Sequence, residues 1–157
     1  MIVPPIDPQL KRVLALPAPD QIGFAVKSIE KSIKGYSDLF GWGPFEVFEP
    51  NYSEQFYRGR PGNFKYRIAH AQISPSLHVK FTENVEGESI YTEFLLARGE
   101  GIHNLGFMVD EIDARIAAMK QLGIGVLQSG KRPGRSFAYM DTESLLGTII
   151  EYRERAA

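Results

Sequence analysis

The sequence predicts an α+β fold built from two similar half-sheets that share one pocket, and three observations carry that prediction. A short apolar strand running into an amphipathic helix occurs twice, at Gln21 to Val26 leading into Ser28 to Phe40 and at His103 to Val109 leading into Asp110 to Leu122. Each copy is followed by further segments of strand character. The chain has 157 residues and is 43% hydrophobic, enough to bury a substantial core around such a sheet.

Met1 to Asp20 carries prolines at 4, 5, 8, 17 and 19 and lacks the basic region and long apolar stretch of a secretory signal, so residues 1–19 are read as an N-terminal arm. The first module spans 20–88. In its opening strand Gln21, Gly23 and Ala25 share one face and Ile22, Phe24 and Val26 the other. Ser28 is placed to cap the following helix, Ile29, Ile33, Tyr36 and Phe40 give its apolar stripe, and Gly41 stops it. Pro44 to Glu49 reads as a strand and Asn51 to Gly62 as a long loop ending in a turn. Phe64 to Ile73 and Leu77 to Glu83 pair across Ser74-Pro75-Ser76, the second alternating Leu77, Val79 and Phe81 against His78, Lys80 and Thr82.

A linker helix is expected within 89–100, ended by Gly99 and Gly101, and the second module spans 101–157. There Asp110 is expected to cap a helix carrying Ile112, Ile116 and Met119, Gly123, Gly125 and Gly130 punctuate the connection beyond it, and Ser136 to Met140 and Thr148 to Arg153 are strands joined near Gly147.

Eighteen Lys and Arg stand against nineteen Asp and Glu, a net charge of -1 that leaves no electrostatic footprint for nucleic acid or an anionic membrane. With no cysteine, disulfides, thiolate nucleophiles and zinc-thiolate centres are excluded, which fits a cytoplasmic protein. The partners expected are a small-molecule ligand and a second copy of the chain.

Gln21 to Val26, Gly-Trp-Gly-Pro-Phe at 41–45, Ser-Ile-Tyr-Thr-Glu-Phe-Leu at 89–95, Gly-Glu-Gly-Ile-His-Asn-Leu-Gly-Phe at 99–107, Phe-Ala-Tyr-Met-Asp-Thr at 137–142 and Gly-Thr-Ile-Ile-Glu-Tyr at 147–152 occur in an order and spacing that resembles the vicinal oxygen chelate superfamily. That group includes glyoxalase I, methylmalonyl-CoA epimerase, extradiol dioxygenases and bleomycin-resistance proteins, and the likeness is greatest to the epimerase branch. The resemblance implies two βαβββ modules forming a curved mixed sheet around a central cleft, in which members commonly hold a divalent metal by one residue from each of four strands. The matching positions here are Gln21, Lys80, Asn104 and Glu151.

Lys80 departs from that pattern, because an ammonium offers three donors and no lone pair to a cation. His103 lies one residue before the matching position and is expected on the opposite strand face, with Leu105, Phe107 and Val109; a one-residue register change would restore it at the cost of exposing Leu105 and Phe107. The reading that follows has the Lys80 ammonium standing in for the cation, paired with Glu151, and Gln21 and Asn104 binding substrate through their amides. No metal and no cofactor are expected. The function implied is a metal-independent lyase or isomerase acting on a small, largely apolar carbonyl- or carboxylate-bearing molecule, with Glu151 as base and Lys80 as acid or electrophile. His78 and His70 are candidate proton shuttles or ordinary hydrogen-bonded histidines, and Tyr139 a hydrogen-bond donor or a packing ring. Arg58, Arg60, Lys131, Arg132 and Arg135 are either anion contacts or a solvated rim. Two alternatives stay open: a binding protein that sequesters its ligand, and a metal-dependent enzyme with rearranged ligands such as His78 or His103.

Overall fold

The computed structural model describes residues 5–155, so the first four residues of the expected arm and the last two of the second module lie outside the described residues. The elements run α1 (Pro8–Leu14), β1 (Gln21–Ala25), α2 (Ile29–Phe40), β2 (Glu46–Phe48), β3 (Glu54–Tyr57), β4 (Arg60–Pro61), β5 (Lys65–Ser74) and β6 (Leu77–Glu86). Then follow α3 (Ile90–Arg98), β7 (Gly101–Met108), α4 (Ile112–Gln121), β8 (Val126–Arg132), β9 (Arg135–Met140), α5 (Glu143–Leu146) and β10 (Ile149–Arg155).

One mixed sheet takes up every strand in the order β2-β5-β6-β1-β7-β10-β9-β8-β3-β4. The repeat seen in the sequence is visible in this order. In each half the opening strand lies parallel to the closing one, β1 beside β6 and β7 beside β10, and β1 and β7 meet antiparallel at the centre. That places Gln21, His78, Lys80 and Glu151 on neighbouring strands about the middle of the sheet.

The helices are anchored by the same device in both halves. Ser28 Oγ accepts from Lys31 N, and Glu83 on β6 accepts from Ile29 N at 2.9 Å. At α4 the N-cap is Glu111, in the left-handed region at φ 54 and without a side-chain cap, where Asp110 was expected. The equivalent carboxylate reaches across instead: Glu154 on β10 accepts from Ile112 N at 2.7 Å. A strand carboxylate facing the positive end of a helix satisfies an orphan donor and suits the helix dipole. The two helices cover separate clusters, Val79 and Phe81 among those under α2 and Phe107, Ile150 and Tyr152 among those under α4.

A third cluster closes the inner side of the sheet. Phe64, Tyr66, Tyr91, Phe137 and Tyr139 belong to it, and α3 supplies Ile90 and Tyr91. Ser89 holds this helix in place: its Oγ accepts from Tyr91 N and Thr92 N and donates to Asn84 Oδ1, while Thr92 Oγ1 accepts from Ser89 N. Ser89→Ala removes the cap and leaves these groups unmatched, and is expected to lower unfolding free energy by about 1–2 kcal/mol in urea denaturation.

Four further expectations change. The arm contains α1, started by Asp7 with Pro8 at its first position and tied to α4 by Arg115, which donates to Ala15 O at 2.8 Å. The segment 51–62 is a hairpin, β3 and β4, that pairs with β8 of the other half. The glycine-punctuated connection after α4 contains strand β8, and the turn near Gly147 contains α5 before Gly147 ends it at φ 77. No helix among the described residues is long and apolar enough to cross a membrane.

Candidate functional site

Strand alternation delivers the site. On β6 His78 and Lys80 face the concave side, and Tyr66, Ile68, His70 and Gln72 of β5 face them. On β9 and β10, Phe137, Tyr139, Glu151 and Arg153 face the same space from the other half. The cavity they enclose, about 240 Å³, is walled by aromatic rings and floored by charge.

At its floor Lys80 is 7% exposed and Glu151 2% exposed. Lys80 Nζ lies 3.1 and 3.3 Å from the two carboxylate oxygens and donates to Tyr139 Oη at 3.0 Å. Tyr91 from α3 donates to the same phenol oxygen at 2.9 Å. Gln21 Nε2 donates to Glu151 Oε2 at 2.6 Å. Because an ionised carboxylate only accepts, that contact fixes the amide: its oxygen faces His78 Nε2, 2.9 Å away, so this nitrogen carries the proton and Nδ1 keeps a lone pair.

The charges set the protonation states. Burial pushes the Glu151 carboxyl up, but Lys80 and then Arg153, together with the hydrogen bonds from Lys80 and Gln21, outweigh it and hold it below its ordinary value. Burial pulls the Lys80 amine down, and Glu151 offsets part of that pull. His78 is lowered to about 4 by burial and by Arg153, so its ring is neutral at neutral pH. Burial raises the phenols of Tyr91 and Tyr139 well above the usual range, which keeps both as hydroxyls.

His103 takes the inward place that a one-residue register change would give it, and Asn104 stands apart from the carboxylate. Gly23 pairs with Asn104 but Phe24 with Ile102, so His103 is the extra residue of a β-bulge. Its ring therefore turns to the concave side, against Tyr91, Phe94 and Tyr139 with centroids 5.5, 5.0 and 5.8 Å away, not to the opposite face with Leu105. Burial, and then the Lys80 charge, lower it to about 4. Asn104 donates to His103 Nδ1 at 2.9 Å, makes no hydrogen bond to Glu151 or Lys80, and is not among the cavity-lining residues. It folds back over Gly23, where a β-carbon would come within 2.4 Å of its amide nitrogen. His70 lies toward the cavity mouth, 3.2 Å from Glu46 and edge-on to His78.

Two participants escaped the sequence reading. Arg153 lies 3.9 Å from Glu151 Oε2 and pairs with Asp20, and its position two residues after Glu151 on a strand was the available signal. Tyr91 comes from the linker helix, and nothing local to the sequence points it at Tyr139.

The donor set does not fit a divalent cation. Of the four positions that would converge on one, Lys80 brings a positive charge, Asn104 is turned away to His103, and Glu151 is already bound by Lys80 and Gln21. Among the described residues no group of three or more His, Cys, Asp or Glu side chains is arranged to hold a metal.

Comparison with known proteins gives the same architecture. A family profile described as glyoxalase/bleomycin resistance protein/dioxygenase superfamily matches residues 20–139. Among solved structures, a substituted Streptomyces coelicolor methylmalonyl-CoA epimerase in complex with 2-nitronate-propionyl-CoA is 19% identical, with 91% of this chain and 97% of that one covered and a TM-score of 0.67. The Mycobacterium tuberculosis methylmalonyl-CoA epimerase is 20% identical, with 88% of each chain covered and a TM-score of 0.62. A hypothetical protein from Bacillus halodurans is 24% identical, with 89% and 95% covered and a TM-score of 0.62. At these identities the likeness is one of fold. No curated protein compared with the chain matches it.

Proposed function

The chain belongs to the glyoxalase/bleomycin resistance protein/dioxygenase superfamily, and from that premise we propose that it is a metal-independent lyase or isomerase that moves a proton beside a carbonyl. The observation that carries this reading is the Lys80–Glu151–Tyr139 cluster on the cavity floor. An ammonium has three donors: one goes to Tyr139 and one is shared by the two oxygens of Glu151, which leaves one for a substrate oxygen. Tyr139 accepts from Lys80 and Tyr91, so its own hydrogen is also free.

A substrate carbonyl held by these donors has its α-proton removed by Glu151, and the enolate oxygen is stabilised by Lys80 and Tyr139. The lowered carboxyl keeps Glu151 ionised and ready at neutral pH. As negative charge grows on the substrate oxygen it competes for Lys80, which raises the proton affinity of Glu151 when the proton must be held. Return of the proton to the other face completes an isomerisation, and loss of a β-substituent from the enolate completes an elimination. Gln21 orients the carboxylate, and neutral His78 sits beyond it as a proton acceptor. The protein is read as acting in the cytoplasm as a homodimer, a state that light scattering on the purified chain reports.

The test is exchange in deuterated water, followed by proton NMR on a panel of small apolar ketones, 2-substituted carboxylic acids and their thioesters. Turnover by the native chain, unchanged after dialysis against a chelator and abolished in both Lys80→Ala and Glu151→Gln with the fold intact by circular dichroism, is the expected outcome. Full activity in either variant removes these roles. A second reading, a protein that binds and sequesters its ligand, draws on the aromatic walls of Phe48, Tyr52, Tyr66, Tyr91, Phe137 and Tyr139. It predicts tight binding with the ligand recovered unchanged.

A further inference from the structure

The geometry points to an anion-binding site at the mouth of the cleft, formed by Arg132, Arg135 and Arg155, that takes the carboxylate or phosphate end of an elongated substrate. The inference rests on the reading of the cleft floor as the place where a carbonyl reacts.

The sheet register sets these three residues in a row. Arg132 is directly opposite Arg135 across β8 and β9, and Arg135 is directly opposite Arg155 across β9 and β10. All three line the cleft. Like charges placed directly opposite on neighbouring strands repel and destabilise a sheet, so such a row calls for a counter-charge. The protein supplies none: among the described residues none of the three forms an ion pair. Of the acidic groups nearby, Glu154 is committed to Ile112 N, Glu151 to Lys80 and Gln21, Asp20 to Arg153 and Asp113 to Lys131, and Glu54 is directly opposite Lys131, on the strand face away from Arg132. The other feature of the row is a ring, Tyr52, over which Arg132 lies with its guanidinium carbon 5.2 Å from the centroid. Stacking holds that fork in one orientation and leaves its N–H groups for a ligand.

Spacing then sets the ligand's length. Arg155 lies four residues along β10 from Glu151, and Arg135 four along β9 from Tyr139, a rise of about 13 Å. Between the two ends Phe137 and Tyr52 form an apolar wall. A molecule that fits has a carbonyl at one end, a carboxylate or phosphate at the other, and an apolar stretch of about eight bonds between them.

Three probes of one length separate the alternatives by titration calorimetry: octanoate, octyl phosphate and octanol. The native chain is expected to bind the preferred anion at least about tenfold more tightly than the alcohol, the effect of one charge-assisted contact, with the advantage shrinking as salt is added. Whichever of octanoate and octyl phosphate binds tighter identifies the anion. Arg132→Ala/Arg135→Ala is expected to abolish that preference while leaving octanol affinity unchanged, and to melt no lower than the native chain because the row loses its repulsion. Equal affinity for all three probes, no binding of either anion, or an undiminished preference in the double variant overturns the proposal. Binding is read without turnover, so these outcomes bear on the arginine row alone, whereas the exchange assay with Lys80 and Glu151 variants bears on the floor alone.

Discussion

Lys80→Met is expected to cost about 3–5 kcal/mol of unfolding free energy, because it leaves the Glu151 carboxylate buried with its principal counter-charge gone. Arg153, 3.9 Å away and paired with Asp20, offsets only part of that loss. Freed of the ammonium, the carboxyl rises toward the protonated form that burial favours, so the loss is smaller at pH 5 than at pH 8. The double variant Lys80→Met/Glu151→Gln removes both charges and keeps an acceptor for Gln21, and should recover most of the deficit. Guanidinium unfolding of the four proteins at the two pH values closes the cycle. If the double variant is as unstable as the single one, the ion pair is not what Lys80 contributes. Conversely, a single variant as stable as the native chain shows that the carboxylate has another partner.

The second large effect is acid sensitivity above the carboxylate range. His103 falls from 6.5 to about 4 in the fold, so between those values the unfolded chain binds a proton that the native one refuses. The stability tied to the neutral ring is complete above pH 6.5 and is lost as pH falls to 4, about 3 kcal/mol for this residue. His78, also lowered to about 4, acts in the same direction. Glu151 adds its own loss at still lower pH, as its depressed carboxyl is protonated. Unfolding midpoints measured from pH 8 to 4 should therefore decline before ordinary carboxylates titrate, and His103→Gln, whose carbonyl can still accept from Asn104, should flatten the upper part of that decline. An unchanged slope in the variant places the sensitivity elsewhere.

Much of this molecule was legible from periodicity. Period-two alternation put His78 beside Lys80 and, with the preceding strand, His70 and Gln72 opposite them, and the register agrees. The Lys80–Glu151 pairing followed from the family resemblance, which gives both positions to one four-residue set, and not from periodicity. Legibility failed where one strand depends on another. The bulge at His103 is a mismatch between β7 and β1, and no feature of residues 101–108 alone announces it. Because it inserts one residue, it turns His103 inward and leaves Asn104 bonded to that ring instead of the carboxylate. The missing cap at Glu111 was equally invisible, since the carboxylate that serves α4 comes from Glu154, on a strand 42 residues later. Segment 51–62 read as a loop because its strands are two and four residues long and earn their hydrogen bonds from β8, far along the chain.

That borrowed edge has a consequence for how the chain can be divided. β8 is flanked on one side by β9 and on the other by residues supplied from before the linker helix. A fragment starting at the linker would carry Val126 to Arg132 with a whole row of amides and carbonyls unsatisfied, open to pairing between molecules. The duplicated halves are thus not interchangeable pieces: the earlier one fastens the later one shut, and cutting between them should yield self-association rather than two folded products.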